Sequence, residues 1–138
     1  TKALEAEGVP YEAVFTAGEL IDAQALLRRM PVGEAIVEMI LDLVRACRPG
    51  TQDAPDYVTD AVSWGPGPRA AQALMLAVRA EALLAGRLAP SAEDVRKLAS
   101  PVLSHRMALG FAARARGESL AGVIDRIATD TTRIEAAA

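Results

Sequence analysis

An arginine stands at an unusual position in this sequence, in the first turn of a long apolar helix that the residue pattern predicts. A Gly-Pro-Gly-Pro turn at residues 65–68 leads directly into Arg69. Pro68 suits the first helical position because its missing N–H would have no partner there. A helix N-terminus carries partial positive charge, so a cation there costs about 0.3–1 kcal/mol unless an anion shares the site. The spacing leaves two interpretations open: Arg69 binds a phosphate, or it pairs with a carboxylate in residues 51–60.

The other chemistry-bearing residues are weaker candidates. One histidine and one cysteine cannot supply a structural zinc site, and no metal site is predicted. His105 follows Ser104 directly and is therefore poorly placed to act as its base, while Cys47 lies on a predicted apolar helix stripe. Trp64 is interpreted as an anchor in the core or at a domain interface, with the wall of a base pocket as the alternative. The sequence has no Walker A loop, so this chain is not expected to catalyse a reaction alone.

The composition favours a helical domain. Of the 138 residues, 51% are hydrophobic but only 4% are aromatic, and many are Ala and Leu. We predict an all-α fold, a small helical bundle with room for one short β-hairpin. The net charge of −3 argues against a nucleic-acid partner, and no apolar run reaches the ~20 residues of a membrane span. One cysteine excludes an internal disulfide, so a cytoplasmic location is expected. The chain begins with Thr1 rather than Met, which suggests a piece of a longer protein.

The first two helices follow from caps and hydrophobic spacing. Thr16 and Glu19 form a capping box for a helix that runs to about Met30. A second helix is predicted at about residues 33–48, with apolar residues at 3- and 4-residue steps. The residues predicted to be buried on the first helix are Leu20, Ala23, Leu27 and Met30. Residues 51–62 are predicted to form a loop, with a short strand at residues 57–59.

The third predicted helix, at about residues 68–85, is apolar on nearly every side and is therefore expected to be the central one. Arg69, Gln72 and Arg79 fall within an ~80° sector of this helix at ~100° per residue. These three side chains form a narrow polar stripe.

Two further helices complete the predicted bundle. Ser91 caps a fourth helix that buries Val95 and Leu98 and ends near residues 100–101. Another helical turn is expected at residues 102–106, and a last helix at about residues 119–131.

Several segments, in the same order and spacing, resemble one known family. Residues 65–70, Gly-Pro-Gly-Pro-Arg-Ala, resemble the Gly-Ala-Ser-Pro-Arg-Ala signature in the C-terminal helical lid of MoxR-type AAA+ ATPases. Residues 41–49 are similar to the family's Leu-Val-x-Ala-Thr-Arg-Pro helix end, and residues 85–87 to its Gly-Arg after the central helix. Residues 90–95 resemble Pro-x-Asp-Val, and residues 101–106 resemble Val-Leu-x-His-Arg.

The chain departs from the family pattern at three positions. Pro66 and Gly67 replace the usual Ala-Ser, which stiffens and then loosens the turn and so affects the direction of Arg69. Cys47 replaces a threonine in an apolar setting, where little effect is expected.

The resemblance implies that Arg69 is the sensor-2 arginine, which reaches the γ-phosphate of ATP when the lid closes over the nucleotide. Gly67, Pro68 and Gln72 are then expected beside the nucleotide. ATP and Mg²⁺ are the implied cofactors of the full-length protein, and none is expected on this chain alone. Hydrolysis removes the γ-phosphate contact and so changes the preferred angle of the lid.

The resemblance also implies partners and a domain organisation. Residues 1–16 would lead in from an ATPase core, residues 17–110 would form the lid, and residues 111–138 a C-terminal helical extension. The implied partners are that core, neighbouring subunits of a ring, usually a hexamer, and a von Willebrand factor A-type protein in chaperone-like assembly. The alternative function is a stand-alone helical adaptor that binds proteins through a helix groove, with Arg69 in a structural ion pair.

Overall fold

The computed structural model describes residues 13–136, with side chains described through residue 132. Most of the predicted lead-in, residues 1–16, therefore lies outside the described residues. The elements in chain order are α1 (Ala17–Arg29), α2 (Glu34–Ala46), α3 (Asp56–Ala61), β1 (Val62–Trp64), α4 (Pro68–Leu84), α5 (Ala92–Leu103), a 3₁₀ turn (Ser104–Arg106), β2 (Ala108–Leu109), α6 (Phe111–Ala115) and α7 (Leu120–Ala136). The predicted all-α bundle is confirmed, with one short two-stranded sheet in the described part of the chain.

Helix α1 has the predicted bounds but not the predicted burial. The Thr16 hydroxyl accepts a hydrogen bond from the Glu19 amide, and the Glu19 carboxylate accepts one from the Thr16 amide, as a capping box requires. The expected burial of Leu20 and Ala23 is wrong, because both are exposed, while Leu27 is half-buried and only Met30 is buried. The reason is that α1 lies at the edge of the bundle and packs mainly against α4. An apolar stripe is buried only where a second element covers it.

Helices α2, α4, α5 and α7 enclose the core. Helix α4 packs against α5, α2 and α1, as expected of the central helix, but it is buried along one line only. The buried residues recur at every fourth position: Ala70, Leu74, Val78 and Ala82. Because residues four apart share a face of a helix, this line leaves the face that carries Arg69 and Gln72 open to solvent.

Helix α7 packs against α5 and α2 and contributes to the same hydrophobic cluster. Its buried residues are Val123, Ile124, Ile127 and Ala128. It is longer than the predicted last helix, and the short α6 before it was not predicted. The predicted boundary between the lid and an extension at residue 110 stays a prediction, although these residues share one core.

The predicted strand at residues 57–59 is wrong, because these residues lie in α3. Pro55 is the N-cap of this helix and Asp56 places a carboxylate in its first turn. Val58 and Ala61, three residues apart, are both buried on one helical face. The strand β1 begins only at Val62.

The short sheet is antiparallel but is not a hairpin. Strand β1 pairs with β2, with Val62 opposite Leu109 and Trp64 opposite Ala108, and the helices α4 and α5 lie between the two strands in sequence. This long-range pairing closes the bundle at the point where β1 leads into the Arg69 turn.

Helix α5 continues through Pro101, contrary to the predicted end near residues 100–101. Proline removes one helical N–H and usually breaks a helix. Here the buried Ala99 and Leu103 anchor both sides of Pro101, and the 3₁₀ turn follows only at Ser104. The predicted burial of Val95 is confirmed, while Leu98 is half-buried.

Candidate functional site

The turn before α4 lies directly on the C-terminal end of α2. A Cβ atom added to Gly65 would lie 2.6 Å from the carbonyl oxygen of Cys47, 2.9 Å from the Cα of Arg48 and 3.0 Å from the Cδ of Pro49. No side chain fits at those distances from backbone atoms. Glycine at position 65 is therefore required by close approach of two chain segments rather than by its backbone angles.

A hydrogen bond also joins these two segments. The Arg48 guanidinium donates through Nε to the carbonyl oxygen of Pro66 at 2.9 Å, and Pro66 is buried. The sequence segments 41–49 and 65–70, which carry much of the family resemblance, thus form one structural unit.

Helix α4 begins without a side-chain cap. Its N-cap residue is Gly67, at φ −85° and ψ −179°, and Pro68 occupies the first helical position. Nothing lies within 4 Å of the place where a Gly67 side chain would begin. The family's usual serine would fit here and could cap the helix, so its replacement leaves the first-turn amides without that partner.

Arg69 projects from this uncapped helix end and is exposed. Among the described side chains, none forms a hydrogen bond or an ion pair with it. The carboxylate partner considered for Arg69 in residues 51–60 is therefore not found. The result is an exposed cation at a positive helix end, an arrangement that favours an anionic ligand.

The rest of the predicted nucleotide-binding set lies around Arg69 on an open surface. Gly67, Pro68 and Gln72 are all exposed. Gln72 is three residues after Arg69, so their side chains are neighbours on the helix. Arg79, the third member of the polar stripe, is half-buried, and its Nε is buried without a hydrogen-bond partner in the described part of the chain.

A cavity of about 230 Å³ lies beside the turn, between α2 and the first turns of α4. Its wall combines aliphatic side chains with two arginines: it is lined by Leu41, Val44, Arg45, Arg48, Pro68 and Ala71. The Arg45 guanidinium is bound to Asp42 at 3.1 Å. The cavity is thus an apolar cleft with a basic edge next to the start of α4.

The other end of α4 carries an arginine with a different environment. Arg87 forms two parallel hydrogen bonds of 2.7 Å each with the two carboxylate oxygens of Asp94. The same carboxylate accepts from the amide and the hydroxyl of Ser91, the N-cap of α5. Hydrogen bonds from Arg87, reinforced by those from Ser91, lower the pKa of the buried Asp94 to about 2. Arg87 is therefore a structural residue that joins α4 to α5.

Three further residues from the sequence interpretation have clear positions. Cys47 is fully buried, so its predicted place on the apolar stripe of α2 is confirmed, and burial raises its thiol pKa to about 12. Trp64 is 62% exposed, so the core alternative is wrong and a role at a domain interface or a base pocket stays a prediction. His105 is exposed in the 3₁₀ turn.

One cluster was not anticipated from the sequence. The Tyr57 hydroxyl donates to Asp130 at 3.1 Å, and the Arg126 guanidinium lies 3.8 Å from the centre of the Tyr57 ring. Burial and the Asp130 hydrogen bond raise the Tyr57 pKa to about 12. A cavity of about 310 Å³ adjoins this cluster between α2 and α7. Tyr57 and Asp130 are 73 positions apart in the sequence, and no local pattern predicts their contact.

Comparison with known proteins places this architecture in a family. The family described as AAA lid domain matches residues 56–127, just over half of the chain. The chain therefore belongs to the AAA lid domain family.

In the described residues, no helix is long and apolar enough to cross a membrane, and no group of His, Cys, Asp and Glu side chains could hold a metal ion.

Two similar proteins narrow the class. Chaperone MoxR1 of Mycobacterium tuberculosis is 31% identical to the chain over 114 residues, which cover 83% of this chain and 30% of that protein. The crystal structure of a proposed ATPase from Cytophaga hutchinsonii is similar with a TM-score of 0.68 and 27% identity, over 73% of this chain and 31% of that one. The resemblance to a lid domain of the MoxR type is confirmed. The chain spans about a third of the length of these relatives.

Proposed function

We propose that this chain works as the lid of a MoxR-type AAA+ ATPase, in which Arg69 is the sensor-2 arginine and binds the γ-phosphate of ATP. The observation that supports this most is the environment of Arg69. It is exposed in the first turn of a 17-residue helix, with no carboxylate partner among the described side chains. In this proposal the γ-phosphate supplies the missing anion.

The chemistry of the contact explains how the lid responds to the nucleotide. A guanidinium forms paired, charge-assisted hydrogen bonds with phosphate oxygens. These bonds exist with ATP and weaken when hydrolysis releases the γ-phosphate, so the lid angle changes. Gln72 supplies an amide donor one helical turn from Arg69, and the lack of a Gly67 side chain leaves room for a phosphate near the first-turn amides.

The cofactors and partners that we propose for the full-length protein are those expected of a MoxR-type ATPase. We propose that the core of the full-length ATPase binds ATP and Mg²⁺, and that ring neighbours, six subunits in the usual case, sense the lid movement. Because α2, α4, α5 and α7 share one core, the lid moves as a unit. The output is chaperone-like assembly or remodelling of partner proteins, with a von Willebrand factor A-type protein as the expected partner and the cytoplasm as the expected location.

The proposal is tested by Arg69→Ala in the full-length protein. We expect steady-state ATP hydrolysis to fall about 100-fold or more, because the developing charge on the transferred phosphoryl group loses a direct partner. The matched control is Arg45→Ala, which removes another exposed arginine whose only ion-pair partner among the described residues is Asp42. Near-normal hydrolysis by a folded Arg69→Ala variant would reject the sensor role.

The exposed apolar residues of α1 favour a second candidate function, a helical adaptor that binds a protein partner. In that case Leu20→Ser abolishes partner binding, while Arg69→Ala leaves partner binding unchanged.

A further inference from the structure

The turn before α4 carries little internal support for the direction of Arg69. Pro66 and Pro68 have no N–H to donate, and Gly67 has no side chain to bond the first helical turn. Gly67 is also flexible by nature. A fixed direction for Arg69 must therefore come from contacts outside the turn.

The end of α2 supplies two such contacts, one steric and one polar. Gly65 is fitted against the Cys47 carbonyl oxygen and the Arg48 Cα, so the turn cannot move closer to α2. The hydrogen bond from Arg48 to the Pro66 carbonyl oxygen, 2.9 Å long and partly buried, prevents the turn from moving away. Together they hold the backbone three and four residues before Arg69.

We propose that Arg48 is a positioning residue for Arg69, an inference that rests on the proposed function. Arg48 holds the turn at the Pro66 carbonyl and thereby sets the path along which the Arg69 guanidinium reaches the nucleotide. It need not touch the nucleotide to do so. A displacement of about 1 Å in a reacting group can cost on the order of 100-fold in rate. Loss of the Arg48 bond is therefore expected to weaken catalysis through Arg69.

The chain offers a matched control on the same helix. Arg45 lies one turn before Arg48 and is bound to Asp42 at 3.1 Å, with no hydrogen bond to the turn among the described residues. Both arginines border the same cavity beside α4. Arg48→Met and Arg45→Met thus remove the same charge from the same surface, but only Arg48→Met removes the bond to Pro66.

The first experiment measures the turn directly in the 138-residue chain. The Ala70 amide donates to the Gly67 carbonyl oxygen at 3.0 Å and reports on the junction between the turn and α4. We expect its hydrogen exchange to be about 10-fold faster in Arg48→Met and unchanged in Arg45→Met. Unchanged exchange in a folded Arg48→Met chain overturns the positioning role, whatever Arg69 binds.

The second experiment measures ATP hydrolysis by the full-length protein. We expect kcat to fall about 10- to 100-fold in Arg48→Met, with the Kd for ADP unchanged, and to recover in part in Arg48→Lys, which keeps a donor. In the Arg69→Ala background, Arg48→Met should cause no further loss, because its effect acts through Arg69. A further loss in that background indicates a different role and overturns the inference.

The two proposals fail differently. Normal kcat in Arg48→Met together with a strong loss in Arg69→Ala overturns the positioning role alone. Normal kcat in Arg69→Ala overturns the sensor function, and the role of Arg48 in nucleotide response with it.

Discussion

The two ends of α4 each present an arginine, and the two differ in what they bind. At the C-terminal end, Arg87 makes a two-pronged ion pair with the buried Asp94 and takes part in the cap of α5. At the N-terminal end, Arg69 is exposed without a partner among the described side chains, on a turn that α2 holds in place. Both arginines belong to segments that resemble the same family.

The comparison separates a structural arginine from one available to a ligand. The Arg87 contacts use both guanidinium N–H₂ groups, so little donor capacity remains for another molecule. The Arg69 donors are all free in the described structure. The contacts in this region instead hold the backbone of the turn before Arg69 against the end of α2. A family motif therefore does not assign a role by itself; the partners of each side chain do.

The largest effect on stability is expected at the C-terminal end of α4, where Arg87 pairs with Asp94. Asp94→Ala removes the ion pair with Arg87 and the reciprocal cap with Ser91, and should lower the free energy of unfolding by about 2–4 kcal/mol. Urea denaturation of the 138-residue chain measures this. Glu93→Ala is the control, because Glu93 pairs with Arg96 on the surface, and should change stability by less than about 1 kcal/mol. Equal losses of stability in Asp94→Ala and Glu93→Ala would show that the ion pair of the buried Asp94 contributes no more than the surface ion pair of Glu93.

The two glycines of the Arg69 turn should respond in opposite directions. Gly65→Ala forces a Cβ against backbone atoms of Cys47 and Arg48 and should destabilise the chain by about 1–3 kcal/mol. Gly67→Ser adds a cap in open space and should stabilise it by a few tenths of a kcal/mol. Thermal unfolding of both variants provides the measurement. A tolerated alanine at position 65 would show that the turn is not fixed on α2.

Acid should weaken the ion pair between Asp94 and Arg87. The pKa of Asp94 is lowered to about 2 in the folded chain, so the unfolded chain binds this proton more readily. The stabilisation is present above about pH 4, the ordinary range of an aspartate, and is lost as the pH falls towards 2. Because Arg87 is partly exposed, this stabilisation is on the order of 1–2 kcal/mol. Unfolding of the wild type and Asp94→Asn at several pH values should show two curves that converge in acid; parallel curves contradict the assignment.

A small effect on the stability of the isolated chain is expected at Arg69, and its sign is informative. Arg69→Ala removes a cation from a positive helix end, so the isolated chain should become more stable by about 0.3–1 kcal/mol at low ionic strength. Urea denaturation at low and high salt measures the gain, which salt should reduce. A loss of stability above 1 kcal/mol would indicate a structural partner for Arg69.

Local chemistry made much of this architecture predictable. The caps at Thr16 and Ser91 and the Gly/Pro turn before α4 each depend on a few neighbouring residues, and the structure has them where the sequence placed them. The polar stripe of Arg69 and Gln72 was predictable for the same reason, because helical spacing alone puts both on one face.

Features that depend on distant partners were not predictable. Whether Leu20 is buried depends on which element covers α1, and none covers that face among the described residues. The bond between Arg48 and Pro66 joins residues 18 positions apart, and the Tyr57–Asp130 contact joins residues 73 apart. Tyr57, Val58 and Thr59 have strand-like propensity, but burial of Val58 and Ala61 on one helical face against the core favours a helix.

The most direct test of the central claim is the affinity of the full-length protein for ATP and for ADP, with and without Arg69. Titration calorimetry with a slowly hydrolysed ATP analogue and with ADP gives both constants. If Arg69 binds the γ-phosphate, Arg69→Ala should raise the Kd for the ATP analogue about 10- to 100-fold, which corresponds to one lost charged hydrogen-bonding group, and leave the Kd for ADP unchanged. An equal change for both nucleotides, or no change for either, would contradict the account.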